Sequence, residues 1–244
     1  MSFLEIESLT KRFGGVTAVD NFSLSIEEGS LTAIIGPNGC GKSTLFNLIS
    51  GTFSADSGHI ILDGVNMTPL GVQQIADLGV GRKFQVPSIF PDLTVRQNLR
   101  LPSLAPHHSE SDSPGKKLEE ILELTNLSNK LEITASHLSH GEKQWLEIGM
   151  VLMQSPKLFL LDEPTAGMTV GETAATANLI KTLTHKQDLT VIVIEHDIAF
   201  IEKLGCPLTV MSKGHVLKSG PFETIRNDPE VQELYFGTGG GHVA

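Results

Sequence analysis

The stretch Leu31-Thr-Ala-Ile-Ile35-Gly36-Pro37-Asn38-Gly39-Cys40-Gly41-Lys42-Ser43-Thr44 decides the fold of this chain. Its first five residues are a largely apolar run of strand length. A glycine-rich loop follows and fits G-x-x-x-x-G-K-[ST]. Residues 43–49 then read as a helix with Leu45, Phe46, Leu48 and Ile49 apolar, and Gly51 as its stop. The physical meaning of this order is phosphate binding. Glycines let backbone N–H groups close around phosphate oxygens, and a helix N-terminus adds a favourable partial charge. Lys42 can reach β- and γ-phosphates, and the Ser43 hydroxyl can ligate Mg²⁺. Gly36, Pro37, Asn38, Gly39, Cys40, Gly41, Lys42, Ser43 and Thr44 are therefore the candidate ATP-binding loop. A chance glycine turn is the bland alternative. Strand, loop and helix in the right order weigh against it.

A second motif lies far downstream in Leu158-Phe-Leu-Leu-Asp162-Glu163-Pro164. An apolar strand ending in two acids places carboxylates at the edge of a parallel sheet, where ligands of open α/β folds bind. Asp162 is the candidate Mg²⁺-holding acid. Glu163, one residue further, is the candidate for polarising an attacking water. Acids after a strand can also simply cap a helix, but a phosphate loop in the same chain makes that reading weak.

Around these motifs the chain organises itself. Residues 3–6, 22–26 and 59–62 read as strands, the last turned by Asp63-Gly64. From about Gln85, prolines punctuate the sequence and helical patterns at 95–101 and 116–124 replace strand-like runs. After Pro156, strands and helices alternate again: 158–161, 171–183, 189–194, 198–204, and a strand pair at 208–211 and 215–218. Short helices at 223–227 and 230–235 follow. This pattern implies an α/β fold with a mostly parallel sheet covered by helices.

Composition limits the function. The 244 residues are 40% hydrophobic and 19% charged, which suits one folded domain with a subdomain. A formal net charge of −10 argues against nucleic acid as a partner. No run of about 18 apolar residues exists, so no membrane-spanning helix is expected. The N-terminal Met-Ser-Phe-Leu-Glu-Ile-Glu does not read as a signal peptide. Cys40 and Cys206 form no CxxC pair, which fits a reduced, cytoplasmic setting.

The feature that separates this chain from other nucleotide hydrolases is Leu138-Ser139-His140-Gly141-Glu142, at the start of a helix expected over 142–153. It resembles the ABC ATPase family, whose motif here reads Leu-Ser-Gly-Gly-Gln. His140 and Glu142 depart from it, while Ser139 and Gly141 are kept. A serine at a helix N-terminus is an anion site by the same logic as the phosphate loop. Ser139 and Glu142 also have the spacing of a capping box, and both readings can hold.

The resemblance covers nearly the whole chain. It implies a P-loop NTPase (ABC ATPase) core with an antiparallel β subdomain and an inserted α-helical subdomain. The expected division is core and β subdomain at 1–84, helical subdomain at 85–156, the rest of the core at 157–236, and a flexible tail at 237–244. It further implies that Ser139 and Gly141 bind the γ-phosphate of ATP held by a second protomer. Gln85 would approach Mg²⁺ and the lytic water, His196 in Glu-His-Asp would contact the γ-phosphate, and Phe13 would stack on adenine. An isolated Gln85 carries little by itself, His196 can equally be structural, and Phe13 can equally be a hairpin core residue. The catalytic set is then Glu163, His196, Lys42 and Gln85, and the metal set Ser43, Gln85 and Asp162. Thr169 stands where the family usually has an aspartate that couples the two sites.

The resemblance also suggests a setting. The ending Asn227-Asp-Pro-Glu-Val-Gln-Glu-Leu-Tyr-Phe-Gly237 and Ala166-Gly-Met168 are similar to branched-chain amino-acid uptake ATPases. Gly81-Arg-Lys-Phe-Gln85 and Leu138-Ser-His-Gly-Glu-Lys-Gln-Trp-Leu-Glu-Ile-Gly149 look most like the urea-transporter branch. The implied protein is a peripheral ATPase on the cytoplasmic face of a membrane, powering uptake of urea or a short-chain amide. A branched-chain amino acid is the alternative cargo. Implied partners are a second ATPase, two permeases and, indirectly, a periplasmic binding protein. A soluble ABC ATPase without a transport role and a non-hydrolysing nucleotide regulator are the rival classes.

Overall fold

The computed structural model of the chain describes residues 2–84, 88–104, 114–187 and 189–236. The order of elements is β1 (Ser2–Phe13), β2 (Val16–Glu27), β3 (Leu31–Ile35), α1 (Lys42–Ile49), β4 (Ser57–Leu62), β5 (Val65–Asn66), α2 (Val72–Asp77) and β6 (Val80–Lys83). Then come α3 (Val95–Arg100), α4 (Pro114–Leu124), α5 (His140–Leu152), β7 (Leu158–Asp162), α6 (Val170–Gln187), β8 (Thr190–Ile194) and α7 (Ile198–Leu204). The chain ends with β9 (Leu208–Ser212), β10 (His215–Gly220), α8 (Phe222–Arg226) and α9 (Pro229–Phe236).

Two sheets form. One has the order β10-β9-β3-β8-β7-β6, parallel except for the antiparallel edge strand β10. The other is antiparallel, with the order β2-β1-β4-β5. The central strands of the first sheet, β3, β7 and β8, are largely apolar because both faces are covered. Ala33, Ile35, Phe159, Leu161, Val191 and Val193 pack with the helices α5, α6 and α7. The alternate residues Ile34, Leu158, Leu160, Ile192 and Ile194 pack toward α1 and the antiparallel sheet.

Among the described residues between β6 and β7 the elements are helical, held by α3, α5 and an isolated bridge, Thr94 to Thr134. Asn98 anchors this part. It is fully buried, and its amide donates to the carbonyls of Phe90, Leu93 and Thr94.

Most expected elements form close to their expected bounds. Three were not foreseen, the first of them the two-residue strand β5 beside β4. Strand β6 is only four residues long and carries Arg82 and Lys83, so it shows no apolar run. Helix α2 is six residues long, with Ile75 alone buried. The tail expected at 237–244 lies outside the described residues.

Candidate functional site

The carboxyl ends of β3, β8 and β7 lie side by side. Ile34 pairs with Ile194, and Ile194 with Asp162. The loop after β3, Asp162-Glu163 and His196 are therefore brought to one sheet edge, as the sequence motifs require.

The loop 36–41 is seated tightly. A Cβ on Gly36 would stand 2.2 Å from the Met211 carbonyl oxygen, and one on Gly41 2.1 Å from that of Ala18. Gly41 also has φ +108°, a conformation that L side chains rarely adopt. No other residue fits at either position without moving the backbone of β2 or β9. Helix α1 begins directly after Gly41, with no side-chain cap and no acid in its first turn. Its first N–H groups are therefore open to an anionic ligand. Lys42 is buried, and its ammonium donates to the Gly36 carbonyl at 2.6 Å and the Pro37 carbonyl at 3.1 Å. Cys40 is buried beside it. Burial raises its thiol pKa, and Lys42 partly offsets that effect.

Asp162 is 6% exposed and lies 3.5 Å from the Arg82 guanidinium. Burial raises its carboxyl pKa, and Arg82 works against that rise. Arg82 itself is fixed from several sides. It donates to Asn47 Oδ1 at 2.7 Å and Ser50 Oγ at 3.0 Å, and its guanidinium lies 4.7 Å from the Phe84 ring centroid. Ser43 and Asp162 together offer a hydroxyl and a carboxylate oxygen. Among the described residues no cluster of three or more His, Cys, Asp or Glu could cage a metal. A sparse oxygen set of this kind suits Mg²⁺, which keeps several waters and takes phosphate oxygens as further ligands.

Glu163 has φ +45°, and its N–H donates to the Ile194 carbonyl at 2.9 Å. A non-glycine residue in this region costs on the order of 1–3 kcal/mol and persists only where surrounding contacts impose it. The turn re-aims the chain right after the strand. His196 Nδ1 lies 3.5 Å from Glu163 Oε1 and 3.8 Å from Glu195 Oε2. Glu195 is buried and holds the Thr165 N–H and hydroxyl at 3.1 and 2.5 Å, which ties the β8 end to the turn after β7.

Phe13 sits at the end of β1, before the Gly14-Gly15 turn. It is 43% exposed, so it is not a hairpin core residue. Its ring meets Phe53 edge-to-face at 5.2 Å, and Lys11 Nζ lies 5.5 Å from its centroid. Gln85 lies outside the described residues.

Ser139 and Gly141 belong to a separate place, the N-terminus of α5. The Ser139 hydroxyl accepts from the Glu142 N–H, and the Glu142 carboxylate accepts from the Ser139 N–H, so the expected capping box is present. His140 Nε2 donates to the Ala166 carbonyl at 2.9 Å, a role its neighbouring carbonyl dictates because a carbonyl only accepts.

Sequence reasoning overlooked several charged residues. Arg82 faces Asp162. Lys83 is fully buried 3.8 Å from Glu147 on α5. Burial pushes the Lys83 pKa down and the Glu147 pKa up, and each charge partly restores the other. Two consecutive basic residues before Phe84 were the available signal. Nothing local marks Glu147 or Glu195 as their neighbours.

The comparisons with known proteins agree with this geometry. The model of the ABC transporter family matches residues 19–166. The branched-chain amino acid transport ATP-binding protein BraF of Pseudomonas aeruginosa is 33% identical over 96% of this chain and 97% of its own length. LivG of Salmonella typhimurium, of the same transport type, is 34% identical over 96% and 97%. Among solved structures, the ADP conformation of MJ1267, an ATP-binding cassette of an ABC transporter, superposes with a TM-score of 0.88 at 32% identity, covering 97% of this chain and 99% of that one. Fold, site and likeness over the full length agree: the chain belongs to the ATP-binding proteins of ABC transporters, in the branched-chain amino acid transport family, and is an ATPase.

Proposed function

We propose that this chain energises an importer of a branched-chain amino acid through separate membrane permeases. The observation that carries the cargo is the full-length similarity to BraF and LivG, both named for branched-chain amino acid transport. That similarity favours a branched-chain amino acid over urea or a short-chain amide, which local likenesses at residues 81–85 and 138–149 suggest. None of the described helices is long and apolar enough to cross a membrane. In this reading the chain works from the cytoplasmic face, docked on two permeases that a periplasmic binding protein supplies.

In this reading, the backbone N–H groups of loop 36–41 and the start of α1 hold the phosphates. Lys42 leaves its loop carbonyls to meet the β- and γ-phosphates, and Phe13 stacks on the adenine. Ser43 and Asp162 would hold Mg²⁺, with Gln85 near it; when bound, the ion neutralises charge on the phosphate oxygens. Glu163 orients the attacking water and accepts its proton. His196, adjacent to Glu163, donates to the γ-phosphate as charge builds in the transition state. Ser139 and Gly141 serve the nucleotide of a second ATPase, a paralogue or a second copy. A dimeric form of a related cassette, MJ0796, bound to ADP and Pi, supports such pairing at 25% identity.

The decisive experiment is transport. Cells lacking this gene should lose uptake of labelled leucine, isoleucine or valine and regain it with the wild-type gene. Loss of labelled urea uptake with normal leucine uptake would replace the proposed cargo by urea.

A further inference from the structure

The turn at the start of α5 is held by an acid that the mechanism above leaves unused. Glu172 lies in the first turn of α6. One carboxylate oxygen, Oε2, accepts from the Thr169 N–H at 2.9 Å and from its hydroxyl at 2.8 Å. That is an ordinary capping arrangement for α6. The other oxygen, Oε1, is turned across to α5 and accepts the Ser139 hydroxyl at 3.2 Å. A Cβ built on Gly141 would stand 2.4 Å from the same oxygen, so the carboxylate lies directly against the bare backbone of Gly141. The Thr169 contacts hold the Glu172 pKa below the usual carboxylate range, so the group is an anion at neutral pH. His140 fastens the same two segments from the other side, through the Ala166 carbonyl and against Gly167.

Chemistry makes this arrangement consequential. A serine hydroxyl has one proton to donate. While Glu172 receives it, a phosphate cannot. A phosphate brought to Ser139 and Gly141 also meets a like charge already there. We propose that Glu172 is a positioning residue that competes with the partner's γ-phosphate for Ser139, so that closure of the ATPase pair requires Glu172 to let go. The inference rests on the reading that Ser139 and Gly141 receive that phosphate. It identifies Glu172 as a determinant of the ATP concentration at which the pair closes.

The test uses full-length protein carrying Glu163→Gln, so that ATP persists, mixed with its cognate second ATPase. Association is followed by sedimentation across a Mg-ATP titration. Binding of a fluorescent ATP analogue to the dilute, unassociated chain is measured in parallel. Adding Glu172→Gln keeps the side-chain length and an oxygen for Thr169 but removes the charge. It should lower the ATP concentration for half-association about fivefold, the scale of two like charges some 4 Å apart in water. Affinity of the dilute chain should not change. An equal or higher ATP requirement, with Ser139→Ala raising it in the same assay, overturns the role of Glu172 alone. If Ser139→Ala leaves association untouched, the reading of Ser139 fails as well, and the inference with it.

Discussion

Two helices of this protein begin at sites suited to anions, and the chain treats them in opposite ways. Helix α1 starts after Gly41 with no side-chain cap and no acid in its first turn. Helix α5 starts with a complete capping box from Ser139 and Glu142, and Glu172 reaches its serine from α6. The first end keeps its N–H groups available and has the Lys42 ammonium beside it. The second has its Ser139 and Glu142 N–H groups and its Ser139 hydroxyl already bonded within the chain. A nucleotide therefore meets little internal competition at α1, whereas a second phosphate at α5 must displace existing bonds. Under the proposed function, this difference makes nucleotide binding at α1 a property of one chain and phosphate binding at α5 conditional on a second.

The comparison can be broken in three places. The largest effect is expected where both ends act on one nucleotide. Glu163→Gln should lower ATP turnover by about 10²-fold or more, the scale of losing a positioned base. Phosphate release and nucleotide binding measured side by side would check this; a loss of ATP affinity instead would make Glu163 a binding residue. Next, Lys42→Ala should weaken ATP binding to the dilute chain by roughly ten- to a hundredfold, the value of charge-assisted hydrogen bonds. Calorimetry on the isolated chain reads this directly, and an unchanged affinity would remove Lys42 from the phosphate site. The smallest effect concerns the closed end. Ser139→Ala should cost about 1 kcal/mol of stability through the lost cap, while leaving the dilute chain's ATP affinity intact. Chemical denaturation provides the first number, and a drop in single-chain affinity would show that the two ends are not separate.

Legibility in the sequence follows the range of the interactions. Helix α7 forms over the residues expected, because Asp197 caps its start through the Ala199 and Phe200 N–H groups and Gly205 ends it at φ +63°. Those signals sit within a few residues of the element they define. Strands β3, β7 and β8 are legible because burial on both faces leaves a continuous apolar run. Strand β6 is not, because its Arg82 and Lys83 depend on partners such as Asp162 and Glu147, which arrive from β7 and α5. Helix α6 runs to Gln187, beyond the expected 183, with Thr184 buried and its hydroxyl on the Ile180 carbonyl. A threonine-rich segment does not announce such burial.

The sequence by itself determined the phosphate loop, the acids after β7 and the turn at Ser139, since each is a short motif whose residues must be neighbours in the chain to do their chemistry. It also carried the family. Tertiary structure alone decided which polar and charged groups meet: Arg82 with Asp162, Lys83 with Glu147, Glu195 with Thr165, and Glu172 with Ser139. These partners lie far apart in the chain, on or beside different strands and helices. Their contacts depend on sheet register and on how α5 and α6 pack, and a single side chain's type does not encode either.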